Sequence, residues 1–285
     1  MKMIKNIPII HPDHGRTMLA DVFYKDTSEK KPLIIFCHGF KGFKDWGHWD
    51  LIAEYFASRG FVFLKFNFSH NGTTVNDPSS FGDLSAFSQN NYSKELSDLQ
   101  VVIDHVLNPN FEYAEHIDTE KLVVIGHSKG GAVALIKSSE DQRIQATVAW
   151  APIYDIDSRW PRHVREEWKE KGVKYVENAR TGQQMPLDYQ MVQDYLDNQD
   201  RLDIPKAIRF LTKPLLIVHG DEDEAINYEE GLMASLWNEA MKFETIEGAG
   251  HTFGGKHPMI ESILPEHSQL LVEKTAHFLN ETFAK

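Results

Sequence analysis

Residues 122–130 read Leu-Val-Val-Ile-Gly-His-Ser-Lys-Gly, and this stretch decides the fold class. Its first four residues are apolar and mostly β-branched, which predicts a buried strand. The Ala-rich run that follows at 132–136 predicts a helix. A serine flanked by glycines between a strand and a helix predicts a sharp turn that lifts the hydroxyl out of the sheet. That hydroxyl becomes a nucleophile only with a base beside it, so the rest of the chain must supply one.

The surrounding apolar runs are continuous rather than alternating, which predicts strands buried on both faces. They lie at residues 33–37, 61–66, 122–125, 146–150 and 215–218, with a shorter candidate at 242–246 and a predicted N-terminal hairpin at 4–10 and 17–24. Amphipathic helical patterns alternate with them. This alternation predicts an α/β fold with a mainly parallel, doubly wound sheet and helices on both faces. Ligands bind at the carboxyl ends of such strands, where Ser128 lies.

Two segments interrupt the alternation. Residues 68–92 are rich in Ser, Asn, Gly and Asp, and a loop of this length is usually functional or mobile. Residues 152–210 have helical periodicity of their own but are too few and too polar for an independent core. We therefore expect a core formed by residues 1–151 and 211–285, with residues 152–210 inserted as a cap over the active edge. A surface insertion without function is the alternative.

The composition excludes several classes of protein. The chain has 285 residues, 41% of them hydrophobic, and a formal net charge of -12, which disfavours binding to nucleic acid or to an anionic membrane. The single cysteine, Cys37, cannot form an intrachain disulfide. We find neither a signal-peptide pattern nor a run approaching ~20 apolar residues. The expectation is a cytoplasmic monomer or homodimer that needs no cofactor or metal.

A carboxylate that could orient a catalytic base follows the strand at 215–218. Residues 219–226 read His-Gly-Asp-Glu-Asp-Glu-Ala-Ile, and Asp223 has the spacing from Gly220 that favours it as the acid. Asp221 is the alternative, although an Asp at that position more often caps a turn. A metal site formed by His219, Asp221 and Asp223 is a less favoured interpretation, because no second cluster of ligands is evident.

The base and the oxyanion donors are predicted from two further strand ends. His251 follows the strand at 242–246, in a loop of small residues that can fold back toward Ser128. The backbone N–H groups of Lys129 and Phe40 are the candidates for the oxyanion hole. His38, beside Phe40, is interpreted as a structural residue that holds this loop.

Together these motifs resemble the α/β-hydrolase superfamily. They are His38-Gly39-Phe40, Gly126-His127-Ser128-Lys129-Gly130, Gly220-Asp221-Glu222-Asp223 and Gly250-His251. The chain looks most like dienelactone-hydrolase-like and cinnamoyl or feruloyl esterase-like enzymes and the related prolyl-oligopeptidase-type catalytic domains. The resemblance implies Ser128 as nucleophile, His251 as base and Asp223 as acid, with a cap insertion after the sixth strand. Dienelactone hydrolase itself uses a cysteine nucleophile, so the serine here is a departure.

These inferences predict a serine hydrolase that cleaves a carboxylic ester of a small-molecule substrate through an acyl-enzyme. Peptidase, amidase or thioesterase activity on the same fold is the alternative, and a ligand-binding protein without catalysis is a third. The apolar side chains of the insertion suit an acyl or aromatic group, or else form the insertion's own core; they are Trp160, Trp168, Met185 and Tyr189. The charge of Lys129 beside the nucleophile predicts a preference for anionic substrates.

Overall fold

Eight strands form the central sheet of the computed structural model, which describes residues 1–284. In chain order the strands are β1 (Lys2–Ile10), β2 (Thr17–Tyr24), β3 (Lys31–Cys37), β4 (Val62–Phe66), β5 (Ile117–His127), β6 (Ile144–Trp150), β7 (Val173–Asn178), β8 (Gln183–Asp188), β9 (Leu215–Gly220) and β10 (Lys242–Ile246). Strands β7 and β8 form a separate antiparallel hairpin. Every strand predicted from an apolar run is present, within a few residues at its ends.

The central sheet is parallel except at one edge. Its order is β1-β2-β4-β3-β5-β6-β9-β10, and every neighbouring pair from β4 to β10 runs parallel. The hairpin β1–β2 pairs antiparallel, and β2 also pairs antiparallel with β4. The strand order reverses beside β3 and β5, which places the carboxyl end of β5 at the position where such sheets bind ligands.

Helices cover both faces of this sheet. They are α1 (Trp49–Ser58), α2 (Leu84–Ser88), α3 (Tyr92–Val106), α4 (Lys129–Glu140), α5 (Arg162–Lys171), α6 (Gln190–Asp197), α7 (Ile204–Phe210), α8 (Tyr228–Ser235) and α9 (Glu266–Phe283). Helices α1 and α9 pack on one face, and α3, α4 and α7 pack on the other. No helix within residues 1–284 has the length and apolar composition that a bilayer crossing requires.

Strand β3 shows why the apolar runs are continuous. Leu33 and Ile35 pack in the cluster under α3 and α4, whereas Ile34 and Phe36 pack in the cluster under α1 and α9. Successive side chains of a strand point to opposite faces, so a strand covered on both faces needs apolar residues at every position. The mainly parallel, doubly wound sheet with helices on both faces, as predicted from the sequence, is therefore confirmed.

The inserted segment, residues 152–210, lies between β6 and β9 and has a mixed structure. The hairpin β7–β8, which helical periodicity did not predict, connects α5 to α6. Met185, Leu187 and Trp168 pack together with α6 in a small apolar cluster. Helix α7 differs from the rest of the segment, because Ile204 and Ile208 pack in the main core.

Candidate active site

Ser128 lies in a strained turn between β5 and α4. Its φ is 56° and its ψ is -120°, a conformation that a residue with a side chain rarely adopts. Backbone hydrogen bonds to the end of β6 and the residues after it hold this turn. Ser128 N–H donates to Trp150 O at 2.9 Å, and Ser128 O accepts from Ile153 N–H at 3.2 Å. The side chain makes no hydrogen bond within residues 1–284 and is 9% exposed. The hydroxyl is therefore presented at the start of α4 without a competing partner.

Two glycines make this turn sterically possible. A Cβ at Gly126 would lie 2.1 Å from Gly130 O, and a Cβ at Gly130 would lie 2.3 Å from Cys37 O. Both obstacles are backbone atoms, which cannot move aside as a flexible side chain can. The spacing of the two glycines around Ser128 is thus required by the close approach of α4 to β3 and β5.

We expect Gly130→Ala to destabilise the protein by at least about 3 kcal/mol, because the new methyl group forces the backbone of α4 away from β3. Urea unfolding followed by circular dichroism measures this change. Gly82→Ala is the matched control, since a Cβ there meets only Thr74 Cγ2, at 3.6 Å. Equal stability of the two variants would contradict this account of the turn.

Asp223 is the carboxylate that reaches the candidate base. Its Oδ2 accepts from His251 Nδ1 at 2.8 Å, and its Oδ1 accepts from the N–H groups of Ala225 and Ile226, both at 2.8 Å. The side chain is fully buried. Burial alone would raise its pKa, but the hydrogen bonds from His219 and His251 outweigh burial and hold the pKa well below the usual range. Asp223 therefore remains ionised and fixed in orientation.

A second histidine binds the same carboxylate from the other side. His219 Nε2 lies 3.1 Å from Asp223 Oδ2, and His219 Nδ1 lies 2.8 Å from the hydroxyl of Tyr154. Gly231 in α8 leaves the space for this pair, because a Cβ there would lie 2.7 Å from the Tyr154 hydroxyl. The sequence analysis considered His219 only as a possible metal ligand. Its contact with Asp223 could not be predicted there, because it depends on the fold of the loop after β9.

The neighbouring acids hold the loop that carries His251. Asp221 Oδ1 accepts from Gly248 N–H at 2.6 Å, and Glu224 Oε2 accepts from His251 N–H at 3.2 Å. Neither carboxylate contacts the His251 ring. Asp221, the alternative acid, therefore has the turn-forming contact that its sequence position favoured.

His251 and Ser128 line the same cleft, but no hydrogen bond joins their side chains in this structure. The His251 side chain is 14% exposed and bound at Nδ1 by Asp223, so in the neutral ring Nε2 is the acceptor. Long or absent catalytic hydrogen bonds are common before substrate binds. The cleft also includes Gly39, Phe40 and His127.

Two backbone donors without acceptors flank the serine. The N–H groups of Phe40 and Lys129 have no hydrogen-bond acceptor within residues 1–284. His38 holds the loop before Phe40: its ring is 3% exposed and lies 2.9 Å, through Nδ1, from Gly39 O. Burial lowers the pKa of His38 to about 4, so it stays neutral. These contacts agree with the interpretation of His38 as a residue that holds the loop of Phe40.

His127 connects the nucleophile turn to the loop of the base. Its Nε2 donates to His251 O at 2.8 Å, and its ring packs against Trp49. Burial, reinforced by the nearby His251, lowers the pKa of His127 to about 3. Sequence analysis gave this residue no role, since the middle position of the motif carries no chemical signal of its own.

The low pKa of His127 predicts loss of stability in acid. The unfolded chain binds a proton at this residue below about pH 6.5, whereas the folded protein does not until about pH 3, so stability falls as the pH drops below 6.5. At pH 5 this single group costs about 2 kcal/mol. His127→Gln cannot titrate, so its melting temperature should fall less than that of the wild type between pH 7.5 and pH 5. Equal falls in calorimetry would refute the assignment.

The ammonium of Lys129 is not free to meet substrate, contrary to the sequence-based expectation. Its Nζ lies 2.9 Å from Glu95 Oε1, and both side chains are at most 5% exposed. The ring of Tyr92 lies 4.8 Å from the same ammonium. Because a carboxylate already compensates this charge, Lys129 does not supply the cation that an anionic substrate would need.

An apolar pocket adjoins the cleft at Phe40. Its walls come from the loop after β3, α3, the start of α4 and the inserted segment; they are Phe40, Tyr92, Lys129, Ile153, Arg159, Trp160, Trp168, Lys174, Val176, Leu187 and Met191. Of the predicted pocket residues, Trp160 lies in this wall. Met185 is fully buried in the small cluster of the inserted segment, and Tyr189 packs against that cluster. Neither of these two lines the cleft or the apolar pocket.

Two clusters outside the cleft have metal-ligand atoms close together. Asp21, Asp45 and Asp50 form one, but their carboxylates bind the ammonium groups of Lys44 and Lys65 at 2.6–2.9 Å. His11, His14 and Asp98 form the other. There both Nδ1 atoms accept from backbone N–H groups at 3.3 Å, which places the ring protons on the Nε2 atoms that face Asp98. In these tautomers the Nε2 atoms are not available to a metal.

Comparisons with known proteins agree with this architecture. The model of the prolyl oligopeptidase family matches residues 48–284. The quorum-quenching protein AidA of Acinetobacter baumannii is 23% identical over 159 residues, which cover 54% of this chain and 48% of AidA. Platelet-activating factor acetylhydrolase of Canis lupus familiaris is 31% identical over 160 residues, which cover 43% of this chain and 35% of that protein. The chain thus spans less than half the length of each relative.

A solved structure resembles the whole chain. Est1E from Butyrivibrio proteoclasticus with bound ferulic acid superposes with a TM-score of 0.73 and covers 98% of this chain and 100% of its own. The two sequences are 22% identical. At this identity the likeness concerns the fold alone.

Proposed function

The chain belongs to the prolyl oligopeptidase family, and from that premise we propose that it is a serine esterase that cleaves carboxylic esters of small or medium acyl groups. That the protein is a hydrolase follows from the family and from its α/β-hydrolase relatives. One observation carries the finer proposal: an ionised, buried Asp223 binds His251 in the cleft that Ser128 enters. These are the three side chains that a serine hydrolase needs.

The proposed reaction has two steps. His251 Nε2 takes the proton of Ser128 as Oγ attacks the carbonyl carbon, and the N–H groups of Phe40 and Lys129 donate to the oxyanion. His251 then gives the proton to the leaving alkoxide, which departs as the alcohol and leaves an acyl-serine. In the second step His251 takes a proton from water, the hydroxide attacks the acyl carbon, and Ser128 recovers its proton as the acid is released.

The two cavities suit the two halves of an ester. The leaving oxygen must lie within reach of His251, so the cleft that contains His251 receives the alcohol. The apolar pocket contains Lys129 but not His251, and its aromatic wall includes Trp160, so it suits the acyl group. The inserted segment contributes residues to both cavities, which supports its role as a cap.

A peptidase is the second candidate, because the family takes its name from peptidases. An alkoxide leaves more readily than an amine, and two of the relatives are named as an acetylhydrolase and as a protein that binds ferulic acid. These observations favour the ester. A thioesterase would use the same residues.

The test is a fluorophosphonate probe followed by a substrate panel. We expect the probe to label Ser128, as mapped by peptide mass spectrometry, and to label nothing in protein denatured beforehand. p-Nitrophenyl esters of increasing acyl length, a feruloyl ester, a thioester and a peptide amide then identify the bond. A folded protein with an unreactive Ser128 would exclude the proposal and favour a ligand-binding role.

A further inference from the structure

The cleft beside Ser128 has no acidic lining. None of its lining residues within 1–284 is Asp or Glu, although the chain has 42 acidic residues against 30 Lys and Arg. Lys41, Arg180 and His257 do line it, together with Asn178. The local composition is therefore opposite in sign to the net charge of -12. Such a reversal at a concave site favours an anionic ligand.

Arg180 is a cation of this cleft that forms no ion pair within residues 1–284. It lies in the turn between β7 and β8, and its guanidinium is 5.6 Å from the ring centre of Phe43. No carboxylate of residues 1–284 lies within 4.0 Å of it, whereas Arg143 and Arg201 each bind an acid at 3.0 Å or less. Partial burial lowers the pKa of the Arg180 guanidinium.

Asn178 holds the turn that carries Arg180. The residue is 5% exposed, and its Oδ1 accepts from the backbone N–H of Arg180 at 3.3 Å. Its carbonyl oxygen accepts from the N–H groups of Thr181 and Gly182 at 3.0 and 2.8 Å. These hydrogen bonds fix the β7–β8 turn, and with it Arg180, at the cleft.

Lys41 and His257 also line the cleft, and their polar groups do not form a closed hydrogen-bond network. Lys41 Nζ donates to Glu177 O at 3.0 Å and so connects the loop of Phe40 to β7. His257 Nδ1 accepts from Gly47 N–H at 2.9 Å, which leaves its Nε2–H as a donor in the neutral ring. Lys41 and His257 form no ion pair within residues 1–284.

We propose that Arg180 binds a carboxylate on the alcohol portion of the substrate. The inference rests on the proposed esterase function, because the alcohol is assigned to this cleft by the position of His251. A guanidinium binds a carboxylate through two parallel N–H···O bonds. The substrate class is then an ester of a hydroxy acid, with an apolar acyl group in the adjoining pocket.

The kinetic test compares two acetyl esters that differ only in charge. These are 4-acetoxybenzoate and its neutral isostere 4-acetoxybenzamide. We expect Arg180→Gln to lower kcat/KM for the benzoate about 10- to 100-fold and to change kcat/KM for the benzamide less than about 2-fold. Arg180→Lys should retain part of the preference. Arg209→Gln, which removes another unpaired arginine outside both cavities, is the control.

Two results would separate the proposals. If the wild type cleaves both esters through Ser128 but Arg180→Gln lowers both equally, the carboxylate site is refuted and the esterase stands. If neither ester is cleaved, calorimetric binding to the Ser128→Ala protein provides the test. That protein should bind 4-acetoxybenzoate more tightly than 4-acetoxybenzamide. Adding Arg180→Gln should abolish this difference in affinity. Failure to discriminate between benzoate and benzamide there would overturn the site independently of any catalysis.

Discussion

Ser128→Ala is expected to hydrolyse p-nitrophenyl esters about 10⁴- to 10⁶-fold more slowly than the wild type, the largest loss of any single substitution here. In the proposed reaction, the serine Oγ that the alanine removes is the atom that forms the acyl-enzyme. It adds no strain, because serine and alanine have the same Cβ and the φ of 56° is already accommodated by the turn. Stopped-flow or steady-state assays of kcat measure the loss, and calorimetry checks that the fold is unchanged.

A matched control is Ser235→Ala, in α8, where the hydroxyl donates only to Leu232 O of the same helix. We expect that variant to retain wild-type turnover. Retention of activity by Ser128→Ala in a folded protein would exclude Ser128 as the nucleophile and would require a water-based mechanism instead.

Asp223→Asn should lower kcat about 10⁴-fold. The neutral amide cannot stabilise the imidazolium that forms when His251 takes the proton. In the wild type, His219 Nε2 and His251 Nδ1 both donate to Asp223 Oδ2. The amide of the variant presents an N–H to one of these two nitrogens, which disturbs the tautomer of His251. Steady-state turnover of a p-nitrophenyl ester by the wild type and the variant measures the loss.

Asp221→Asn distinguishes the two acids that the sequence left open. Its Oδ1 accepts from Gly248 N–H, and the asparagine retains that oxygen. We expect a loss of less than about 10-fold, because the substitution leaves the contact between His251 and Asp223 intact. A greater loss for Asp221→Asn than for Asp223→Asn would reverse the assignment.

The central strands β3, β4, β6 and β9 were predictable because they are buried on both faces. Leu33 to Cys37 have no polar position, and the same is true of the run that ends before Gly126. The order of the candidate side chains along the chain was predictable as well, since each follows a strand end. The close contact between Gly126 and Gly130 is local in sequence, so the motif carries that information, whereas the approach of Gly130 to Cys37 depends on how the strands pair.

Contacts between distant segments were not predictable from the pattern. Glu95 compensates Lys129 from another helix, and nothing in either local sequence indicates the pair. The β7–β8 hairpin was missed because its strands are short and half exposed, so they lack a continuous apolar run. Arg180 and Asn178 reach the cleft only through that hairpin. Contacts between side chains that are far apart in the sequence can be identified only once the fold is known.

Tyr154, His219, Asp223 and His251 form a chain of hydrogen bonds whose donors converge on Asp223. The Tyr154 hydroxyl donates to His219 Nδ1, and both histidines then donate to Asp223 Oδ2. Asp223 is therefore a terminus that receives from both sides, and a proton cannot pass through it without reversing the donors on one side. In the proposed reaction, the proton that His251 takes from Ser128 therefore cannot pass along this chain toward Tyr154. The hydrogen-bond pattern behind His251 keeps that proton at the surface of the cleft.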